Sequence, residues 1–134
     1  MAPGDAYKKW IQSANKDFIV IDSILAQVQN PRLRPHELVL CHSQQATEKM
    51  LKAFLTYSGV SPWGHDLNAL RTSCADFDAG FESKRITDHC AFLAAYNAAR
   101  YPDFTDIINA STAARGLNSA KRVYAFVSEK LGQG

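Results

Sequence analysis

Much of what would mark a specialised environment is missing from this sequence. The three cysteines, Cys41, Cys74 and Cys90, stand far apart. An odd number with no Cys-x-x-Cys pair argues against a disulfide framework and a zinc knuckle. Each cysteine therefore reads as a small buried hydrophobe in a reducing compartment. No apolar run reaches the length needed to cross a bilayer. Residues Met1 to Asp5 hold no basic region followed by an apolar stretch, so no secretory signal is read there. These absences predict a soluble, cytoplasmic protein without a membrane partner. Charge of one sign is scarce too: a net +2 over 134 residues does not identify a nucleic-acid binder or a membrane-surface protein. A locally basic face is compatible with it. The chain also lacks a Gly-rich phosphate loop, a GxSxG elbow and an HExxH pair. No segment alternates with period two between hairpin turns.

What is present is helical periodicity in an ordinary globular composition, 46% hydrophobic and 21% charged. With no internal repeat and no composition break, residues 1–134 read as one domain. From about Asp5 to Gln29, Tyr7, Trp10, Ile11, Ala14, Phe18, Ile21, Leu25 and Val28 recur in steps of three and four, and Asn30-Pro31 ends the pattern. A second helix opens at Pro35 with Glu37 in its first turn. It carries Leu38, Cys41, Ala46, Met50, Ala53, Phe54 and Tyr57 inward and closes at Gly59. A short helix follows with Leu67, Leu70 and Cys74. Asp76 to Phe81 reads as a turn. A third long helix is expected from about Ser83 to a stop at Pro102, and a fourth from about Ser111 to Leu131. Gly116 inside the last helix weakens it by about 1 kcal/mol relative to alanine. The sum is an all-α, up-and-down helical bundle of four long helices plus a short one.

Three polar features interrupt this pattern. On the second helix, Gln45, Glu48, Lys49 and Lys52 lie three or four apart and share a face. Glu48 and Lys52 alone would be an ordinary surface pair. Gln45 and Lys49 could instead form a polar seam between helices or a phosphate contact. In Gly64-His65-Asp66-Leu67, a histidine and an aspartate introduce the short helix, where Asp66 or the residues before it can cap exposed amides. His65 then reads as bonded to a neighbouring helix, or as a catalytic histidine. In Arg100-Tyr101-Pro102-Asp103, Arg100 can neutralise a helix end, paired with Asp103, or present its fork to a phosphate or carboxylate. Metal binding by Cys41-His42 and His89-Cys90 is disfavoured, because adjacent helical residues point about 100° apart. Trp10, Phe18, Tyr96 and Tyr124 fall at core spacing and offer no base-stacking platform.

Taken together, Gln44 to Lys52, His65 to Leu67 and Arg100 to Asp103 resemble the HEPN domain (higher eukaryotes and prokaryotes nucleotide-binding), and the segments Trp10 to Asp17 and Ala120 to Val127 also fit. The resemblance covers nearly the whole chain and implies a helical bundle, often dimeric, that binds nucleotide or RNA. It also implies frequent pairing with a minimal nucleotidyltransferase in two-gene, toxin–antitoxin-like modules. Some members are metal-independent RNases that use an arginine and a histidine four to six residues apart. Here Arg100 is followed by Tyr-Pro-Asp-Phe-Thr-Asp-Ile with no histidine, and Arg85-Ile-Thr-Asp-His89 has only three intervening residues. Arginine stays charged and cannot act as the acid or base. The expectation is a homodimeric binding module without cofactor or metal, whose binding residues are Gln45, Lys49, His65, Asp66, Arg100, Tyr101 and Asp103. An RNase toxin using His65 or His89 with Arg100 across the dimer, and a purely structural adaptor, are the competing readings. A second departure is Gly64, where the family often has threonine; it implies a weaker cap for the short helix.

Overall fold

The computed structural model describes residues 4–96 and 108–132. Five α-helices account for them: α1 (Ala6–Gln27), α2 (His36–Tyr57), α3 (Leu67–Ala75), α4 (Lys84–Ala95) and α5 (Ala110–Lys130). A 3₁₀ turn, Ala79–Glu82, joins α3 to α4, and no strand occurs among the described residues. The bundle is all-helical, as the periodicity requires.

The middle of the bundle is α2, which packs on α1, α3, α4 and α5. That position explains where the periodicity misplaces it. Leu38 and Tyr57, expected inward, are 46% and 38% exposed, whereas Val39, Leu40, Leu51 and Leu55 are buried. A helix covered on most sides has no single apolar stripe, so its pattern does not fix which face looks inward. Two of its buried polar residues satisfy themselves locally: Ser43 Oγ donates to the Val39 carbonyl and Thr47 Oγ1 to the Ser43 carbonyl.

Gly116 has a reason beyond helix propensity. A Cβ at that position would lie 2.3 Å from Cδ1 of Leu40, which is fully buried. Glycine therefore lets α5 approach α2 closely, and its weak helix preference is offset by that packing.

Capping fixes the shorter elements. Asp66 accepts from the amides of Asn68 and Ala69, Ser83 from Ile86, and Asn109 from Thr112. The α3 cap is therefore complete without a threonine at position 64, where Gly64 supplies a φ of +90°. Arg34 closes the first connection by donating to the carbonyls of Val28 and Gln29. The segment Asp76 to Phe81 is more than a turn: Phe81 is fully buried between Phe54 and Phe126, with ring centroids 4.6 and 4.9 Å away. Asp78 anchors it, accepting from the Gly80 amide and pairing with Lys130 at 3.0 Å; both contacts hold its carboxyl below the usual range. The described part of α4 ends at Ala95, and the expected continuation to Pro102 lies outside the described residues.

Candidate functional site

Because α2 lies at the centre, its polar face cannot simply look into water. Asp17 shows what that entails. It falls on the buried stripe of α1, with its side chain only 6% exposed, and its two oxygens are divided between two α2 residues. Oδ1 meets His42 Nδ1 at 2.9 Å and Oδ2 meets Lys49 Nζ at 2.7 Å. A carboxylate removed from water needs such partners. Lys49 thus belongs to a polar seam between α1 and α2.

Next to Lys49 on α2, Glu48 joins two further groups. Its carboxylate lies 3.1 Å from Lys52 Nζ and 3.1 Å from His65 Nδ1. An ionised carboxylate only accepts, so His65 donates through Nδ1 and its Nε2 is the second, exchangeable position of the ring. The pair Glu48–Lys52 is not the ordinary surface contact its spacing suggests. The Lys52 side chain is 8% exposed and its ammonium stands 5.3 Å from the Trp10 ring, because α1 covers this side of α2.

Between α2 and the loop before α3 these side chains enclose a cavity of about 160 Å³. Gln45, Glu48 and Lys49 line it from α2, with Cys41 and Gln44 beside them; His65 and Leu67 close it from the loop. Gln44 also donates to the Leu93 carbonyl at 2.7 Å, tying α2 to the end of α4, and Gln45 donates to Cys41 Sγ at 3.3 Å. Beyond His65 the surface opens into hollows of about 350 and 360 Å³, the second bordered by Trp63. Trp63 is 86% exposed, an aromatic surface that the core-spaced aromatics do not provide.

Of the sequence-expected site residues, Gln45, Lys49 and His65 meet in the one cavity. Asp66 borders the neighbouring hollows, with its Oδ1 taken by the α3 cap. Arg100, Tyr101 and Asp103 lie outside the described residues. Sequence reasoning paired Glu48 with Lys52 and set His65 against a neighbouring helix, but it missed Glu48 as the partner of His65 and Asp17 as the group that holds Lys49 and His42. Asp17 left one signal, a carboxylate on an otherwise apolar stripe.

The other histidines and the buried cysteines are placed elsewhere. His36 Nε2 contacts the Pro31 carbonyl at 2.8 Å. His89 contacts Ser119 Oγ at 2.9 Å. Burial pushes the Cys74 and Cys90 thiols up to about 12, so neither is a thiolate at neutral pH. Among the described residues no three of His, Cys, Asp or Glu are grouped to hold a metal ion. No described helix is long and apolar enough to cross a membrane.

A family model of the HEPN domain matches residues 7–131. No curated protein and no solved structure matches the chain.

Proposed function

Since the chain belongs to the HEPN domain family, we propose that it is a nucleotide- or RNA-binding module whose ligand occupies the cavity between α2 and the His65 loop. The observation that carries this is the meeting of Gln45 and Lys49, from one sequence motif, with His65, from another, around a shared space. The chemistry of the lining favours recognition of a nucleobase or ribose over tight capture of phosphate. The two charged residues from α2 that line it are already paired outside it, Lys49 with Asp17 and Glu48 with Lys52. The Gln45 amide and the Glu48 carboxylate offer both donors and acceptors. The cavity is smaller than whole-ligand sites of roughly 300–1,000 Å³, so it takes part of a nucleotide and the rest extends over His65 and Asp66 toward Trp63. Arg100, Tyr101 and Asp103, which the family resemblance also assigns to binding, lie outside the described residues.

In this reading the protein is a homodimer and partners a minimal nucleotidyltransferase in a two-component, toxin–antitoxin-like system; family membership supports that assignment. The test of the binding site is thermal unfolding with nucleotides at millimolar concentration. A ligand at about 100 times its Kd stabilises the folded state by about 2.7 kcal/mol, a readily measured rise in Tm. The rise should disappear in Gln45→Ala and in His65→Ala. No shift with any nucleotide would favour a structural adaptor instead.

A second reading, a metal-independent RNase, rests on the Glu48–His65 contact, since a carboxylate that orients an imidazole is a common way to prepare a general base. Incubation with total RNA separates the two. Cleavage abolished by His65→Ala would establish the nuclease, and intact RNA at high protein concentration would remove it.

A further inference from the structure

A second polar cluster lies on the adjoining faces of α4 and α5 and shares no residue with the cavity. His89 Nδ1 contacts Ser119 Oγ at 2.9 Å, and the Arg115 guanidinium lies 4.1 Å from the centre of the Phe92 ring. Three residues forward on α4 correspond to four residues back on α5, so the two helices run antiparallel at this contact. Continuing the register the other way brings Arg85, one turn before His89, alongside Arg122, one turn after Ser119. The face therefore carries Arg85 and Arg122 at one end, His89 with Ser119 in the middle, and Arg115 held on Phe92 at the other.

The charges here are not balanced. Asp88, the acidic residue beside His89 on α4, is taken by Lys84 at 2.7 Å. None of Arg85, Arg115 and Arg122 forms an ion pair among the described residues, and all three are exposed. In a chain whose net charge is +2, three exposed guanidinium groups on one face, none with an ion pair among the described residues, are a concentrated positive field. Arginine also carries the planar donor fork suited to phosphate oxygens. From residue 115 to residue 122 the strip extends about 10 Å along the helix at about 1.5 Å per residue. That is longer than one phosphate group and suits consecutive phosphates on a chain.

We propose that this α4/α5 face binds the phosphodiester backbone of single-stranded RNA, with Arg85 and Arg122 on one phosphate and Arg115, fixed by Phe92, on a neighbouring one. His89 reports the event. Burial first, then the positive charges of Arg85, Arg122 and Arg115, lower its pKa, with Asp88 opposing. It is therefore neutral at pH 7. A phosphate seated among the arginines cancels part of their field, so the bound His89 takes up a proton more readily than the free one.

The experiment uses the full chain and fluorescein-labelled oligouridine, followed by anisotropy. Two neutralised phosphates predict a loss of affinity of about sevenfold between about 50 and 200 mM salt, and the Arg85→Gln/Arg122→Gln variant, with one phosphate contact left, a loss of only about threefold. The same variant should bind at least about tenfold more weakly at the lower salt. It should keep any nucleotide-induced rise in Tm, which separates failure of this strip from failure of the cavity. By NMR, oligouridine should raise the His89 pKa in the wild type. Wild-type affinity and salt slope retained by the folded double variant would overturn the proposal. So would polyglutamate of equal length competing as well as oligouridine, because the face would then serve an acidic protein.

Discussion

At the cavity Lys49 and Lys52 each meet a carboxylate, Asp17 and Glu48, whereas on the α4/α5 face Arg85, Arg115 and Arg122 meet none among the described residues. Burial accounts for the difference. Lys49 and Lys52 are packed between helices, and a charge taken out of water without a partner would destabilise the fold by several kcal/mol. The arginines stand in solvent, where no partner is required. The comparison teaches that the residues most recognisable in the sequence are partly occupied in holding α1, α2 and the His65 loop together. The three exposed arginines of the α4/α5 face belong to none of the motifs that carry the family resemblance.

The largest effect should come from breaking the compensated side. Replacing Asp17 by alanine leaves Lys49 and His42 without their shared carboxylate and should destabilise the protein by about 3 kcal/mol in urea unfolding. Adding Lys49→Met should restore part of that loss, because it removes the orphaned charge. If Asp17→Ala is instead silent, burial is not what makes the two regions differ.

A smaller effect is expected at the seam that joins the two regions. Gly116→Ala drives a methyl group into Leu40. Overpacking of about 1–3 kcal/mol, reduced by about 1 kcal/mol of better helix propensity, should leave a net loss of about 1–2 kcal/mol. Combined with Leu40→Ala, the two substitutions should cost less than their sum, since they compete for the same space.

The uncompensated side should show itself through pH. The folded-state pKa of His89 lies below its ordinary value of 6.5, from burial first and the arginines next. The unfolded chain therefore takes up this proton first as the pH falls. Its contribution to stability is complete above about pH 6.5 and is lost as the pH drops through the lower folded value. Tm measured down to pH 5 should fall less steeply in His89→Gln than in the wild type. An unchanged slope would mean that neither burial nor the arginines lower the His89 pKa in the folded state.

The smallest effect belongs to the arginines themselves. Arg85→Gln and Arg122→Gln should each change stability by no more than about 0.5 kcal/mol, as exposed residues without partners do. A larger loss in either would show that the strip is structural after all.

The bundle was legible in the sequence to a large degree. Steps of three and four marked all five helices, and Asn30-Pro31, Gly59 and the Asp66 cap marked ends that the structure shares. The phase of α2 was not legible, nor was the burial of Phe81, because both depend on what surrounds them on several sides. Within the candidate site, the motif residues Gln45, Lys49 and His65 were legible and do line one cavity. Their partners were not. Asp17 is 32 residues from Lys49, and Glu48 is 17 from His65, separations that no local pattern connects.

The sequence by itself determined the all-helical class, the family and the candidate groups, because helical period, turn residues and motif order are local properties of the chain. Only the tertiary structure decided which charges are cancelled and which remain. Coulombic balance depends on distance and burial, and these arise when α1 lies against α2 and α4 against α5. On that account the lysines of the motif proved to be held by carboxylates, while three unremarkable arginines became the face with charge to offer.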